Sequence, residues 1–509
     1  MPSEPDDGWR RLHPLTLIFA IGTRLHASRA LILPAFLALV VSKGRSAHGW
    51  DTWQPWLLLP ALALLALEVV HYFTLAYRFD AHDIVVARGI FWTRERHIPY
   101  ARVQNIELVQ HWAHRLAGVA VVRLDTGTGA GAEAELAVLS TDAVQELRDA
   151  VRDGRRRDGP VGLEPAAAAA PPEVLAAPGL RELALHGLLT SRGTVVLFAI
   201  AGALWQGDLD GWGVRRYLPS WTGVWGEIAR ATPRLAIELA LLVVVALLVF
   251  RLASAAWSVV KHFDFSLTAR GEELFQSYGL ITRVGRTIPR ARIQKLTITD
   301  TPLMRWYGRA TLTIDTAAFV PEKHRQQQQE GSHVLVPIVP WTRVAALVRA
   351  VHPTGSTADL ADLDALDWQP VDPRTFRRLA RVRTVLAILV GIALWFAIHW
   401  WAIALALLVG VWLDTLAWVS ARLTAFAWSG ETLIFRSSNG WTRRISLVRT
   451  SRVQVVTVRQ SPLDLRWAMK RVVVDTAGAA GGGHHVDIPW LSVPVADGLY
   501  ARLRHAAVQ

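Results

Sequence analysis

Apolar and polar positions alternate between two regimes along the chain. Long apolar runs at residues 15–41, 56–77, 190–205, 235–257, 384–400 and 402–419 come in pairs, and each pair precedes a stretch where apolar side chains recur at every second position. The runs have the length and composition of membrane helices. The alternating stretches predict half-buried strands: Val103, Ile106 and Leu108, then Val119, Val121 and Leu124 after a turn. Each stretch closes on an amphipathic segment. In the first, 141–152, Ser140 or Thr141 can cap the helix and Asp142 sits in its first turn, where negative charge is favourable. The pattern predicts membrane hairpin then small β-domain with a C-terminal helix, three times over.

The three β-stretches are copies of one unit. Arg102-Val103-Gln104 leads to Asp125-Thr126, Arg292-Ile293-Gln294 to Asp315-Thr316, and Arg452-Val453-Gln454 to Asp475-Thr476, with 23 residues from Arg to Asp each time. Gly89 and Gly279 stand 13 residues before their Arg, and Asn439, which also tolerates positive φ, holds that place in the third copy. Between the strands, Thr301-Pro302 and Ser461-Pro462 put a hydroxyl cap before a proline at the first helical position, predicting a one-turn helix. The first copy departs from this, with His111-Trp112. Gly118 and Gly308 end the turn, and Ala468 replaces them in the third copy.

Arg-[Val/Ile]-Gln, Ser/Thr-Pro-Leu, Arg-Trp-Tyr-Gly and a strand ending in Asp-Thr, flanked by paired spans, resemble the bacterial PH-like domain once called a membrane-flanked domain of unknown function. The three-copy arrangement is similar to the YdbT-like membrane proteins. The resemblance implies two packed antiparallel sheets closed by a helix, no known enzymatic activity, and a role in envelope stress or bacteriocin resistance. The expected fold is therefore a polytopic α-helical membrane protein, six spans in three hairpins at 12–77, 185–258 and 380–420. It carries three soluble PH-like sandwich or barrel domains at 78–153, 262–352 and 425–504, with a linker at 154–180 and an acidic linker at 353–373.

Composition sharpens this picture. Hydrophobic residues make up 52% of 509, with 23 Trp, so the excess belongs in a bilayer, and Trp50, Trp53, Trp56, Trp212, Trp221 and Trp225 mark its interfaces. The N-terminal 1–11 lacks the pattern of a removable signal. Even numbers of spans put all three domains on the N-terminal side. The basic flanks of that side, from Arg10 and Arg11 to Arg422, make it cytoplasmic by the positive-inside rule, in a bacterial inner membrane. The formal charge of +13 suits anionic lipid, and the apolar runs favour lipid over nucleic acid.

The absence of cysteine excludes disulfides, thiolate catalysis and Cys-based zinc sites. The repeated Arg102/Asp125, Arg292/Asp315 and Arg452/Asp475 pairs read as fold determinants, because no other polar groups repeat with them as a catalytic site needs. His484-His485 lacks a spaced third ligand, and no dinucleotide, P-loop, nucleophile-elbow or metalloprotease string occurs, so no enzyme, cofactor or metal is expected. Basic residues of the second and third domains are the better lead: Arg283, Arg286, Arg290, Arg292 and Lys295, with Arg443, Arg444, Arg449 and Arg452, could meet anionic headgroups or a partner. Intramembrane Arg24, Arg29, Glu68, His71, Glu238 and Asp414 are candidates for a polar pathway, as in a transporter or exporter component. The expected partners are the bilayer, a peptide or membrane-protein partner, or a homo-oligomer.

Overall fold

The computed structural model describes residues 9–11, 74–89, 94–100, 103, 105–125, 134–158, 173–190, 233–316, 333–351, 366–397, 401–476 and 485–508. They fall into two compact units, one of the described residues up to 158 together with 281–289, the other of the remaining described residues.

In the first unit, β1 (Arg10–Arg11), β2 (Ala76–Phe79), β3 (Asp83–Arg88) and β4 (Arg94–Pro99) form an antiparallel sheet in that order. A second layer follows: β5 (Asn105–His111), the one-turn helix α1 (Trp112–Leu116), β6 (Val119–Asp125) and β7 (Ala134–Ser140), closed by α2 (Thr141–Asp158). Every second side chain of each sheet turns inward. Ile84 and Ile98 meet Val122, Leu124 and Leu139, and Leu147 and Val151 of α2 seal the cluster. An Arg10–Glu146 ion pair ties β1 to α2, and the Arg78 guanidinium lies over the Trp9 ring.

The second unit begins with β8 (Glu173–Ala176), α3 (Leu180–Leu189), α4 (Pro233–His262), β9 (Ser266–Arg270) and β10 (Glu273–Tyr278). The next strand, β11 (Thr282–Pro289), lies in the first unit and pairs antiparallel with β5. The chain returns through β12 (Ile293–Asp300), α5 (Pro302–Trp306), β13 (Arg309–Thr316), β14 (His333–Pro340) and α6 (Trp341–Val351). The third repeat supplies β15 (Gln369–Pro370), α7 (Thr375–Ala397), α8 (Trp401–Leu423), β16 (Ala425–Ser429), β17 (Thr432–Ser438) and β18 (Arg443–Arg449). It ends with β19 (Val453–Arg459), α9 (Pro462–Arg466), β20 (Met469–Thr476), β21 (Val486–Ser492) and α10 (Val493–Val508).

The second and third domains are not separate sandwiches. Their strands form one seven-stranded sheet, β14-β13-β12-β18-β17-β16-β15, in which the edge strand of domain two pairs with the edge strand of domain three. Strands β19, β20 and β21 make the other sheet of domain three, whose core joins Phe426, Leu433 and Val448 to Val472, Val474 and Ile488 under Leu499 and Leu503 of α10. In domain two the layers are stitched by Gln276, 2% exposed, whose Nε2 donates to the carbonyls of Val334 (2.8 Å) and Leu335 (3.1 Å).

Among the described residues two helical segments are long and apolar enough to cross a membrane, Val244–His262 and Ala406–Leu423. The expected span at 15–41, 56–73 of the second and 191–205 of the third lie outside the described residues. Small residues let α7 and α8 approach closely. A Cβ on Gly391 would stand 3.0 Å from that of Ala406, and one on Gly410 3.1 Å from that of Ala387. This hairpin is fastened to its domain by Arg378 and Asp464, 2.6 Å apart, and by Arg381 over the Trp467 ring.

Three sequence expectations change in detail. All three copies make the one-turn helix, including the aberrant first. There, with no hydroxyl cap, the His111 backbone N–H donates to Nδ1 of His114, whose pKa burial and then His111 lower, so the ring stays a neutral acceptor. In the third copy Gly440, not Asn439, takes positive φ (89°), and glycine is required there because a Cβ would strike the Leu416 carbonyl oxygen at 2.5 Å; Asn439 instead accepts the Trp441 and Thr442 N–H groups. The segments 154–180 and 353–373, linker-like in composition, end in β8 and β15, which cover the outer edges of β9 and β16.

Ala468 adopts φ 51°, where the other copies have Gly118 (64°) and Gly308 (60°). Left-handed backbone costs a non-glycine residue roughly 1 kcal/mol, so Ala468→Gly should stabilise the third domain by about that amount, read as a higher melting temperature of the detergent-solubilised chain.

Candidate binding cleft on the shared sheet

The seven-stranded sheet has two chemically distinct faces. Leu296, Ile298, Leu312, Ile314, Ile445 and Leu447 are buried on one. The intervening positions, paired across the strands as Lys295 with Asp315, Thr297 with Thr313 and Ser446, and Thr299 with Thr311 and Arg444, carry hydroxyls and charges. Period two in each strand, in this register, collects the polar residues of two domains on one surface.

That surface floors a cleft of about 680 Å³. Helices α3 and α4 supply one wall with His186, Thr190 and His262, α5 contributes Met304, and domain three contributes Phe435, Ser437, His485 and Asp487. Position of the α3 wall is set by backbone contact: a Cβ on Gly187 would come within 2.5 Å of Ala255 Cα, while Ser254 and Ser258 donate to the carbonyls of Gly187 and Leu183, both at 2.8 Å. Arg309 grips Glu182 with two guanidinium nitrogens, at 2.7 and 2.9 Å, and so holds α3 to β13. On the floor, Lys295 Nζ lies 2.7 Å from Asp315 Oδ2, with side chains only 9% and 2% exposed. Buried charges of this kind persist because each compensates the other. Thr313 Oγ1 donates to the Thr297 carbonyl (3.2 Å), Thr311 Oγ1 to that of Pro337 (2.8 Å), and the Thr297 and Ser446 hydroxyls share a hydrogen bond (3.3 Å). Such a lining suits a polar ligand held by many neutral hydrogen bonds beside one exposed cation, Arg444.

The nine basic candidates have different surroundings. Arg286 pairs with Glu107 at 2.6 Å across the β5–β11 join, and Arg443 pairs with Asp300 at 2.6 Å across the β12–β18 join while stacking over Trp341. Asp300, 2% exposed, also holds Arg305 at 2.9 Å. Lys295 and Arg444 belong to the cleft. Arg283 is exposed on β11 opposite Gln110. Arg290, Arg292 and Arg452 lie half-buried in the short 3-10 turns that precede β12 and β19. Arg449, beside the second turn, is half-buried, and desolvation followed by Arg452 lowers its pKa. The repeated Asp315 meets Lys295 rather than Arg292 in the ladder, and Asp475 likewise faces Val455 rather than Arg452; Arg102 lies outside the described residues.

Of the intramembrane candidates, Arg24, Arg29, Glu68 and His71 lie outside the described residues. Glu238 falls on α4. Asp414 accepts a hydrogen bond from Thr384 across the α7–α8 hairpin at 2.9 Å, beside Arg383, which donates to the Leu413 carbonyl. The threonine face and the histidines were not singled out from sequence. His485, whose pair with His484 lacks a spaced third ligand, lines the cleft, and the alternation Thr297-Thr299 with Thr311-Thr313 is the sequence signal of its floor.

The match to the bacterial PH domain model covers residues 28–155, 222–353 and 375–507, most of the chain. The chain belongs to the bacterial PH domain family. It is also similar to a curated protein described as the UPF0699 transmembrane protein YdbT of Bacillus subtilis (strain 168), 23% identical over 364 residues, which are 69% of this chain and 70% of the relative. No solved structure matches. This is a YdbT-like protein with three bacterial PH domains, and its apolar helices and transmembrane relative associate it with a membrane.

Asp300 is buried, holds Arg305 of its own domain and joins domain three through Arg443. Asp300→Ala leaves both cations without that carboxylate, and removing one member of a buried pair costs about 3 kcal/mol. Thermal unfolding of the solubilised chain should show that loss, and Arg443→Met should relieve part of it.

Proposed function

We propose that the protein is a non-enzymatic, multi-pass scaffold of a bacterial inner membrane, with six spans and three cytoplasmic PH domains, that binds a polar ligand such as a peptide, a headgroup or a segment of a partner membrane protein, in defence against envelope stress or antimicrobial peptides. The observation that carries this reading is the cleft on the shared sheet: two domains together build one polar surface beside the ends of α3 and α4. Its side chains suit binding rather than reaction, for the Thr297, Ser446, Thr311 and Thr313 hydroxyls are engaged with one another and with backbone carbonyls, and the Lys–Asp pair neutralises itself.

The reading separates from transport through the acids. In cells lacking the protein and challenged with a membrane-active peptide, complementation should survive Glu68→Gln, Glu238→Gln and Asp414→Asn singly and be lost on filling the cleft with Ser437→Trp, at equal protein levels. The reverse pattern assigns the work to the spans.

Orientation is open to test because native cysteine is absent. A single cysteine at Gly131 should be shielded from an impermeant thiol reagent in intact cells, and one at Gly223 should react. The opposite labelling would invert the topology.

A further inference from the structure

The two joins between successive repeats are the same operation. In β5–β11, Glu107 faces Arg286 and Gln110 faces Arg283; in β12–β18, Thr297 faces Ser446 and Asp300 faces Arg443. Counted from the repeated arginine that opens each core strand, the fifth residue after it meets the sixth residue before the next repeat's arginine in both joins, and the eighth meets the ninth. Polar contacts mark the same places: an Arg286–Glu107 ion pair and a Thr297–Ser446 hydrogen bond at the first, and an Arg443–Asp300 ion pair at the second. Repeat three presents the corresponding strand, β19, at the end of its sheet. Repeat one presents the corresponding receiving strand, β4, at the end of another.

Burial records the difference. Position 295 of β12 is 7% exposed beneath its neighbour, whereas the matching Val455 of β19 is 53% exposed. Val453–Arg459 is rich in valine, with an irregularity between Val453 and Val455 that β12 also has between Ile293 and Lys295, an apolar edge of the kind that adds a strand. On β4, Glu95, Arg96 and His97 are exposed.

We infer that β19 of one copy pairs with β4 of a second copy, extending the internal register from chain to chain. This goes beyond the scaffold reading and does not depend on what fills the cleft. The occupant follows from continuity: the joins already made use a core strand and a third strand of the next repeat, and among the described residues one of each, β19 and β4, stands at a sheet end. Carried over, the register sets Thr457 opposite Arg96, Val455 opposite Ile98 and Arg459 opposite Arg94. The last is a like-charge pair that neither internal join contains, so this join is weaker than they are and reversible. The contact is heterologous, and in a membrane plane it makes closed rings or open rows.

The test uses the full cysteine-free chain in native membranes. Two differently tagged forms, one carrying Thr457→Cys and the other Arg96→Cys, are co-expressed and mildly oxidised. Directly opposed strand residues are within disulfide reach, so a covalent dimer bearing both tags is expected, and neither variant alone should give one. As an internal control, Thr297→Cys with Ser446→Cys should close within one chain. Absence of the mixed dimer while the control closes overturns the inference. So does a dimer from Thr457→Cys alone, or linkage of that cysteine to a different polypeptide. Co-purification of two tagged cysteine-free copies decides independently. Thr457→Glu, which copies Glu107 opposite Arg286, should raise recovery up to about fivefold, and Val455→Lys should lower it. Equal recovery by both variants contradicts the inference, and a gain from Thr457→Glu cannot come from misfolding.

Discussion

A strand at the edge of a sheet carries a row of backbone N–H and carbonyl groups that must find water, a cover or another strand. A PH-like sandwich has such edges, and where one repeat meets the next this chain satisfies them with its own neighbours. Strand β12 takes β18 of the following domain along six paired residues, and β5 takes β11 in the same register. Outer edges receive the short strands β8 and β15, whose pairing partners open the first sheets of domains two and three. From this pairing follow the positions of Arg286 and Arg443 against their carboxylates and the polar surface shared by domains two and three.

The triplication, the period of two, the closing helix and the proline-capped turns were legible because each is a local consequence of sequence. The positive-φ turn position was legible to within one residue, shifting from Asn439 to Gly440 where α8 leaves no room for a Cβ. What alternation cannot reveal is which edge meets which. It assigns Thr297 and Ser446 to a face but does not say that those faces are one, since 149 positions separate them in the chain. The arginines illustrate the same limit. As a sequence, Arg286 and Arg443 look like a basic surface for lipid; in space each is neutralised by a carboxylate of the preceding repeat, 179 and 143 positions away. Arg378, beside an apolar run where a basic residue reads as a membrane flank, holds Asp464 and fastens the hairpin to its domain.

Three copies with one architecture have diverged where the joins demand it. The first carries the histidine-capped turn, in which a neutral His114 replaces the hydroxyl cap. The second pairs Lys295 with Asp315 under the cleft floor, whereas the third has Val455 at the lysine position. The family assignment explains the repeated fold, while the cleft arises from fusion of two repeats and belongs to neither domain taken singly.

The continuity of the β12–β18 ladder is the claim on which this account rests, and amide hydrogen exchange of the intact solubilised chain tests it most directly. Within Ile293–Asp300 and Arg443–Arg449, the amides facing the other strand should be as slow to exchange as those facing their own domain. If the domains were independent sandwiches, every second amide of both strands would exchange at the rate of an exposed edge, and the shared sheet would be refuted.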